Sequence, residues 1–354
     1  MNSMNTQAMI LSFILLLITP AFAREQTDVI VMKNGDRLTG EIKSLESGVL
    51  LFSVDYIDGN FPIRWSDVDH LESKQLFVVI TEDGSVFTGT LQTAESAAGR
   101  PMRIQIAKGT EQAKTVEQSQ IVQAIQTSNR FWQRFNGEIN SGIMYAKGNQ
   151  NTQYSLASSV EYPRSRWAAG ASINASLSSS AGAAVSTRNS LTANALHLMR
   201  WNNWYYTGVG NFLQSTEQGI QLQTNLSGGI GRYLKNTNHA KISLISGLAW
   251  QNTAYTQSAD LQSSQNVAAA MVGTSVKFFK FKQTNLNIYA AAFPALSKPG
   301  RAYFTTNVTY YVKFFGKLNW NTSFYGNWDT QPPTHLSGSD YGTSSGLGLT
   351  FGNR

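Results

Sequence analysis

The sequence predicts an all-β protein. Residues 131–354 read as an antiparallel transmembrane β-barrel of about twelve strands, and residues 24–130 as a tandem of small Sm-like or SH3-like β modules facing the periplasm. Three observations carry this reading. First, short segments of 131–354 alternate apolar and polar side chains, as in Leu286-Asn287-Ile288-Tyr289-Ala290 and Leu318-Asn319-Trp320-Asn321-Thr322-Ser323-Phe324. Successive strand side chains point to opposite faces, so each segment has one face suited to lipid and one suited to water. Second, the polar face is mostly Asn, Gln, Ser, Thr and Gly, while the apolar face repeatedly ends in Trp, Tyr or Phe. Third, beyond the N-terminal segment no apolar run is long enough for a membrane helix, so whatever spans must do so as closed β-structure.

At the N-terminus, Met9 to Ile18 is a ten-residue apolar core followed by Pro20-Ala21-Phe22-Ala23. That run is too short to cross a bilayer as a helix, and the small residues behind it fit a signal peptide cut after Ala23. Its n-region has no Lys or Arg, so only the α-amino group supplies positive charge. The chain has no cysteine, which excludes disulfides, thiol chemistry and Cys-based metal sites.

Residues 24–130 contain an internal duplication. Asn34-Gly35-Asp36-Arg37-Leu38-Thr39-Gly40-Glu41-Ile42 is echoed by Asp83-Gly84-Ser85-Val86-Phe87-Thr88-Gly89-Thr90-Leu91, each behind an apolar strand, 29–32 and 77–80. Asn-Gly and Asp-Gly between such strands predict hairpins with type I′ turns. The copies continue with 49–52 and 102–106 and close with 63–68 and 116–121. This region carries 11 Lys+Arg against 15 Asp+Glu, a net of −4, and 131–354 carries 17 against 6, a net of +11. Sm-like folds elsewhere bind RNA, but an exported acidic domain is unsuited to a polyanion, so no nucleic acid is expected. A periplasmic protein-binding module and a structural spacer are the alternatives.

Twelve alternating segments follow, at about 134–146, 152–162, 166–178, 187–200, 204–215, 220–233, 239–251, 266–280, 284–294, 301–314, 317–328 and 341–351. An even count puts both ends on the periplasmic side, with short turns there and longer loops outside, at 179–186, 252–265 and 329–340. This arrangement gathers thirteen of the seventeen basic residues into a periplasmic rim that includes Arg164, Arg166, Arg200, Lys235, Lys280, Lys282, Lys313 and Lys317. Such a rim snorkels to anionic headgroups, or it docks the acidic N-terminal region or draws anions to the mouth. Girdle aromatics include Trp132, Trp167, Trp201 and Trp204 at the periplasmic interface and Trp250, Phe293, Tyr303 and Trp328 at the outer one.

Gly137-Glu138-Ile139-Asn140-Ser141-Gly142-Ile143-Met144-Tyr145 leading to Gly148-Asn149, Asn203-Trp204-Tyr205-Tyr206 through Phe212 to Ile220, and Gly228-Gly229-Ile230-Gly231-Arg232-Tyr233-Leu234 together resemble the salt-induced outer-membrane protein family, also called YdiY-like. The resemblance implies an outer-membrane barrel and brings no reaction or ligand with it. Gly346-Leu347-Gly348-Leu349-Thr350-Phe351 is similar to the terminal signal read by the barrel assembly machinery, although the chain runs three residues further. Outer-membrane lipid, that machinery and a periplasmic protein are therefore the expected partners.

Catalysis has little support. A barrel phospholipase needs a His and a nucleophilic Ser two positions apart on one strand. The one His-x-Ser here, His335-Leu336-Ser337, lies in a loop rich in Pro, Gly and Ser. No enzyme activity, cofactor or metal is expected; Asp260, Asp329 and Asp340 are far apart in sequence. The inferred lumen positions Gln221, Gln223, Asn225, Asn285, Asn287, Asn307, Asn319 and Asn321 are polar and uncharged, with Glu138 and Glu161 the chief inward charges. Such a lumen suits a small-solute pore or an envelope-stress protein. A barrel filled by its own side chains would instead be a non-conducting anchor that presents the N-terminal module.

Overall fold

The computed structural model describes residues 27–94, 101–109, 112–128, 131, 134–146, 151–180, 182, 185–200, 202–216, 220–255, 264–281, 283–313, 318–331 and 338–349. The signal-peptide reading, Trp132, Trp201, Lys282, Lys317, Asp260, the His335–Ser337 motif and the end of the last strand, including Phe351, lie outside these residues.

The duplicated sequence builds a duplicated structure. In the first half, β1 (Asp28–Met32), β2 (Arg37–Glu46), β3 (Val49–Val54) and β4 (Ile57–Arg64) lead through a 3-10 turn, Trp65–Asp67, into β5 (Val68–Thr81). In the second half, β6 (Val86–Thr93), β7 (Arg103–Ala107) and β8 (Lys114–Glu117) lead through Gln118–Gln120 into β9 (Ile121–Thr127). The long strand β5 serves both halves, closing the first against β1 and opening the second against β6 and β9. The halves also exchange edges: Ser44, Leu45 and Glu46 of β2 pair with β9, and Glu72 and Ser73 of β5 pair with β6. Strands β1, β2, β9 and β5 thereby form a closed ring. Ile30, Ile42, Leu45, Phe52, Phe77, Val79, Ile104 and Ile121 fill one common core.

Equivalent residues of the two halves meet where the copies join. Trp65 Nε1 donates to the Gln118 carbonyl at 3.0 Å, while Gln118 Nε2 donates to the carbonyls of Trp65 at 2.6 Å and Val68 at 3.0 Å. The hairpin turns correct one expectation. Positive φ is confined to the glycines, Gly35 at +92° and Gly84 at +81°, whereas a type I′ turn needs it at both central residues. The Gly35 and Gly84 amides donate to the carbonyls of Met32 and Thr81, giving three-residue loops in which only the left-handed position demands glycine. Asn34 and Asp83 instead accept hydrogen bonds from the amides of Asp36 and Ser85.

The second sheet is an antiparallel meander, each strand paired with its neighbours in sequence. Its members are β10 (Asn136–Ala146), β11 (Asn151–Pro163), β12 (Trp167–Ser179), β13 (Ser186–Leu198), β14 (Trp204–Ser215), β15 (Ile220–Asn236), β16 (Ala240–Tyr255), β17 (Ser264–Lys280), β18 (Thr284–Pro294), β19 (Ala302–Lys313), β20 (Leu318–Asp329) and β21 (Ser339–Leu349). Twelve strands were expected, and twelve are present among the described residues. The edge strands β10 and β21 share no hydrogen-bonded register among those residues.

In the N-terminal module Asp28 is fully buried, accepting from Ser73 Oγ at 2.5 Å and from the Ile42 amide at 2.8 Å. Burial raises its carboxyl above the ordinary value of 3.8, outweighing the two hydrogen bonds, which act to lower it. Folded Asp28 therefore keeps its proton at a pH where the unfolded chain has released it. Its stabilising contribution is complete below the ordinary value and is lost as pH rises through the folded one. Amide-exchange protection at Ile42, corrected for intrinsic rate, is expected to fall from pH ~4 to pH ~7. Asp28→Asn should flatten that slope, and a flat wild-type profile would contradict the assignment.

Candidate functional site: the inner face of the twelve-stranded sheet

Antiparallel partners directly opposite one another share a face, so one assigned strand orients the whole meander. The Cα register links Lys241 to Lys277, Lys277 to Asn287, Asn287 to Thr309, and Thr309 to Ser323 on one face. The same face carries Gln223 and Asn225 on β15, Asn285 on β18, Asn307 on β19, and Asn319 and Asn321 on β20. It also carries Glu138 and Glu161 on the first two strands. Gln223 Nε2 donates to Thr253 Oγ1 at 3.1 Å, and Asn287 Nδ2 to Thr309 Oγ1 at 3.3 Å. Gln221 departs from the expected lumen set. It sits in a bulge between Ile220 and Leu222, is exposed, and has no Cα partner on β16. The extra residue resets the alternation there.

The opposite face is apolar along its whole width and exposed. Leu248 is 63% exposed, Val272 57% and Leu347 74%; Ile139, Leu156, Ile173, Leu191, Leu226 and Leu244 belong to the same face. Of the girdle positions, Trp167 and Trp204 sit at one end of this outer face, and Trp250 and Trp328 at the other. Phe293 and Tyr303, expected in the outer girdle, turn inward: they are register partners on the lysine-bearing face and line its cavity.

The sheet curls, because Leu196 on β13 and Asn327 on β20 line the same cavity of about 900 Å³. Asn211, Asn225, Ser227 and Gln251 contribute its polar lining, and Val209, Ile245 and Met271 part of its apolar lining. A smaller hollow of about 300 Å³ collects Asn285, Asn287, Thr309, Asn321 and Ser323. Toward one end of the large cavity Lys241 Nζ lies 4.6 Å from the Tyr233 ring centroid, and the Tyr233 and Tyr205 rings are 4.7 Å apart. A Cβ on Gly231 would fall 2.3 Å from the Tyr205 ring, so only glycine leaves room for it. At the other end Arg301, 4% exposed, binds Asp329 through two hydrogen bonds of 3.1 and 2.6 Å and lies over Tyr303. Asp329 is thus committed to an arginine, and no cluster of three metal-binding side chains occurs among the described residues. Spacing had no means of joining Arg301 to Asp329, or of setting Lys241 directly opposite Lys277.

Arg164, Arg166, Arg200, Lys235, Lys280 and Lys313 lie at the ends of strands joined by the short turns, and the N-terminal module sits against these turns. Asn203 Nδ2 donates to the Glu82 carbonyl at 2.8 Å; Asn238 Nδ2 donates to the carbonyls of Ile121 at 2.9 Å and Ser119 at 3.2 Å. Arg64 lies over the Phe281 ring at 5.4 Å. Gly84 packs so closely on Asn203 that a Cβ would come within 2.8 Å of it. None of the described ion pairs joins module to sheet. Near the contact Glu82 has its pKa raised by burial, against the smaller lowering effects of His239 and Lys235. At this residue desolvation outweighs the attraction of His239 and Lys235.

A family model described as "Protein of unknown function, DUF481" matches residues 139–351, more than half of the chain. The chain belongs to the DUF481 family. This match is consistent with the YdiY-like resemblance of the sequence. No curated protein matches the DUF481 chain significantly. Among solved structures it is similar to a porin at 10% identity and a TM-score of 0.32, over 78% of this chain and 97% of the porin.

The two faces make opposite demands on charge. Arg at Leu244, Leu286, Val308 or Phe324 is expected to cost about 2–4 kcal/mol in a bilayer. Arg at Asn287, Asn307 or Asn321 should be tolerated. Refolding into lipid vesicles under a urea titration measures both sets, and equal tolerance on the two faces would overturn the register.

Proposed function

We propose that this DUF481 protein is a β-barrel of the Gram-negative outer membrane, acting as a small-solute pore whose periplasmic mouth is covered by its own Sm-like tandem module. One observation carries the reading: an exposed apolar face runs across a twelve-stranded meander whose other face carries a ladder of Asn, Gln, Thr and Ser. In water such a surface is an aggregation liability; in a bilayer it is the expected outside of a barrel. Closure belongs to the proposal, because unpaired edges are not viable in hydrocarbon, and β10 and β21 are the two edges of the sheet among the described residues. Placing the module in the periplasm follows from its contact with the short turns, which in such barrels face that side.

An inner face that is mostly Asn, Gln, Thr and Ser, with Lys241 and Lys277 at one end of its cavity, suits small neutral or anionic solutes rather than a reaction, and we read the chain as having no enzymatic role. A second reading, a non-conducting anchor presenting the module to a periplasmic protein, is favoured by the covered mouth and by Tyr205 filling the space above Gly231. Planar-bilayer recording separates the two. If the barrel conducts, Asn203→Ala with Asn238→Ala should loosen the cap and raise conductance several-fold. That effect should be similar at about 0.1 M and about 1 M salt, where the screening length falls from about 10 to about 3 Å, because the two Asn side chains hold the cap through hydrogen bonds and not through ion pairs. Absence of discrete steps in an intact, heat-modifiable barrel would favour the anchor. A rise confined to low salt would return the rim charges to the docking role.

A further inference from the structure

Lys241 and Lys277 are direct cross-strand partners on the inner face, and both line the 900 Å³ cavity. Like charges placed directly opposite one another destabilise a sheet, and neither lysine makes a salt bridge among the described residues. Lys241 rests on the Tyr233 ring, which is in contact with Tyr205. The carboxylate nearest in effect is borrowed from the other domain: Glu46, at the end of β2, lies within electrostatic range of both Lys241 and Tyr233. Beyond the lysines an apolar stripe of Ile245, Met271, Ala269 and Val267 runs along the two strands that carry them, beside Gln251 and Asn225. Met271, Ala269 and Val267 are almost fully buried. The site therefore has a cationic end of two ammonium groups, a tyrosine and serine hydroxyl shell at Tyr233, Ser243 and Ser275, and an apolar body.

We propose that this cavity binds a single-chain anionic amphiphile, with its carboxylate or sulfate head between Lys241 and Lys277 and its chain along Ile245 and Met271. The volume lies within the range of about 300–1,000 Å³ usual for small-molecule sites. Paired ammonium groups answer an anionic head, and a buried apolar wall answers a chain; neither feature serves a neutral polar solute. The proposal deepens the pore reading by naming the class of molecule the interior receives, but its test does not require conduction.

The test uses the full chain in lipid nanodiscs and the fluorescent probe 11-(dansylamino)undecanoic acid. Saturable binding is expected, displaced by laurate, at least tenfold less well by the neutral dodecan-1-ol, and not by acetate at the same concentration. Lys241→Gln with Lys277→Gln should weaken probe binding at least tenfold, and the paired Arg substitutions should retain it within about threefold, both in barrels that remain heat-modifiable. Ala269→Trp, which fills the body and leaves both lysines in place, should also weaken it. Equal displacement by laurate and dodecan-1-ol would overturn the proposal, as would full affinity in the double Gln variant. Displacement by acetate as strong as by laurate would reduce the site to one for small anions and overturn the amphiphile. Bilayer recording on the same preparation keeps the two readings apart: binding without channel steps retains this site and removes the pore, and steps without binding do the reverse.

Discussion

Backbone pairing is the constraint on which the rest of this structure depends. A strand cannot leave its N–H and C=O groups unpaired away from water, and among the described residues the strands β11 to β20 meet that demand on both edges with their sequence neighbours, while β10 and β21 do so on one edge. Directly opposed residues must then share a face, so orientation passes from strand to strand without a long-range contact to fix it. The lysine pair, the Asn and Thr ladder and the exposed apolar belt all follow from that single propagated register. The bulge at Gln221 interrupts the alternation, and the strand recovers within two residues because Gln223 and Thr253 are again opposed.

The N-terminal module meets the same constraint differently. Two short copies have too few strands to bury a core alone, and they exchange edges so that β1, β2, β9 and β5 close a ring around shared side chains. The reciprocal bonds between Trp65 and Gln118 join residues at equivalent positions of the two 3-10 turns. A Trp in one copy and a Gln in the other are therefore both required, each supplying a donor to the opposite backbone.

The contact between module and sheet is built from short side chains against backbone. Asn203, with φ of +63°, and Asn238 project from tight turns, and the matching surfaces are glycines and carbonyls. Glycine allows backbones to approach, and approach makes an Asn-to-carbonyl bond directional. Long, exposed lysines add little in such a contact, since surface ion pairs are worth about 0–1 kcal/mol. Arg164, Arg166, Arg200, Lys235, Lys280 and Lys313 stay at the strand ends, while Lys241 and Lys277 line the cavity.

Much of this fold was legible in the sequence because a strand writes its environment with a period of two. Alternation located all twelve C-terminal strands to within a few residues, and the repeat located both halves of the module. That Asn225, Asn287 and Asn321 share one face could be read because parity along each strand assigns it. Other features had no local signature. The Gln221 bulge, the Arg301–Asp329 pair and the approach of Glu46 to within electrostatic range of Lys241 each depend on where a second segment lies, whereas Phe293 and Tyr303 share the parity of Asn287 and Asn307 and face inward with them. Sequence by itself determined which side chains share a face, since that follows from covalent geometry along one strand. Only the tertiary structure decided which strands curl around the cavity and what covers its end, because those outcomes depend on contacts between residues as far apart as Glu82 and Asn203, which no period in the chain connects.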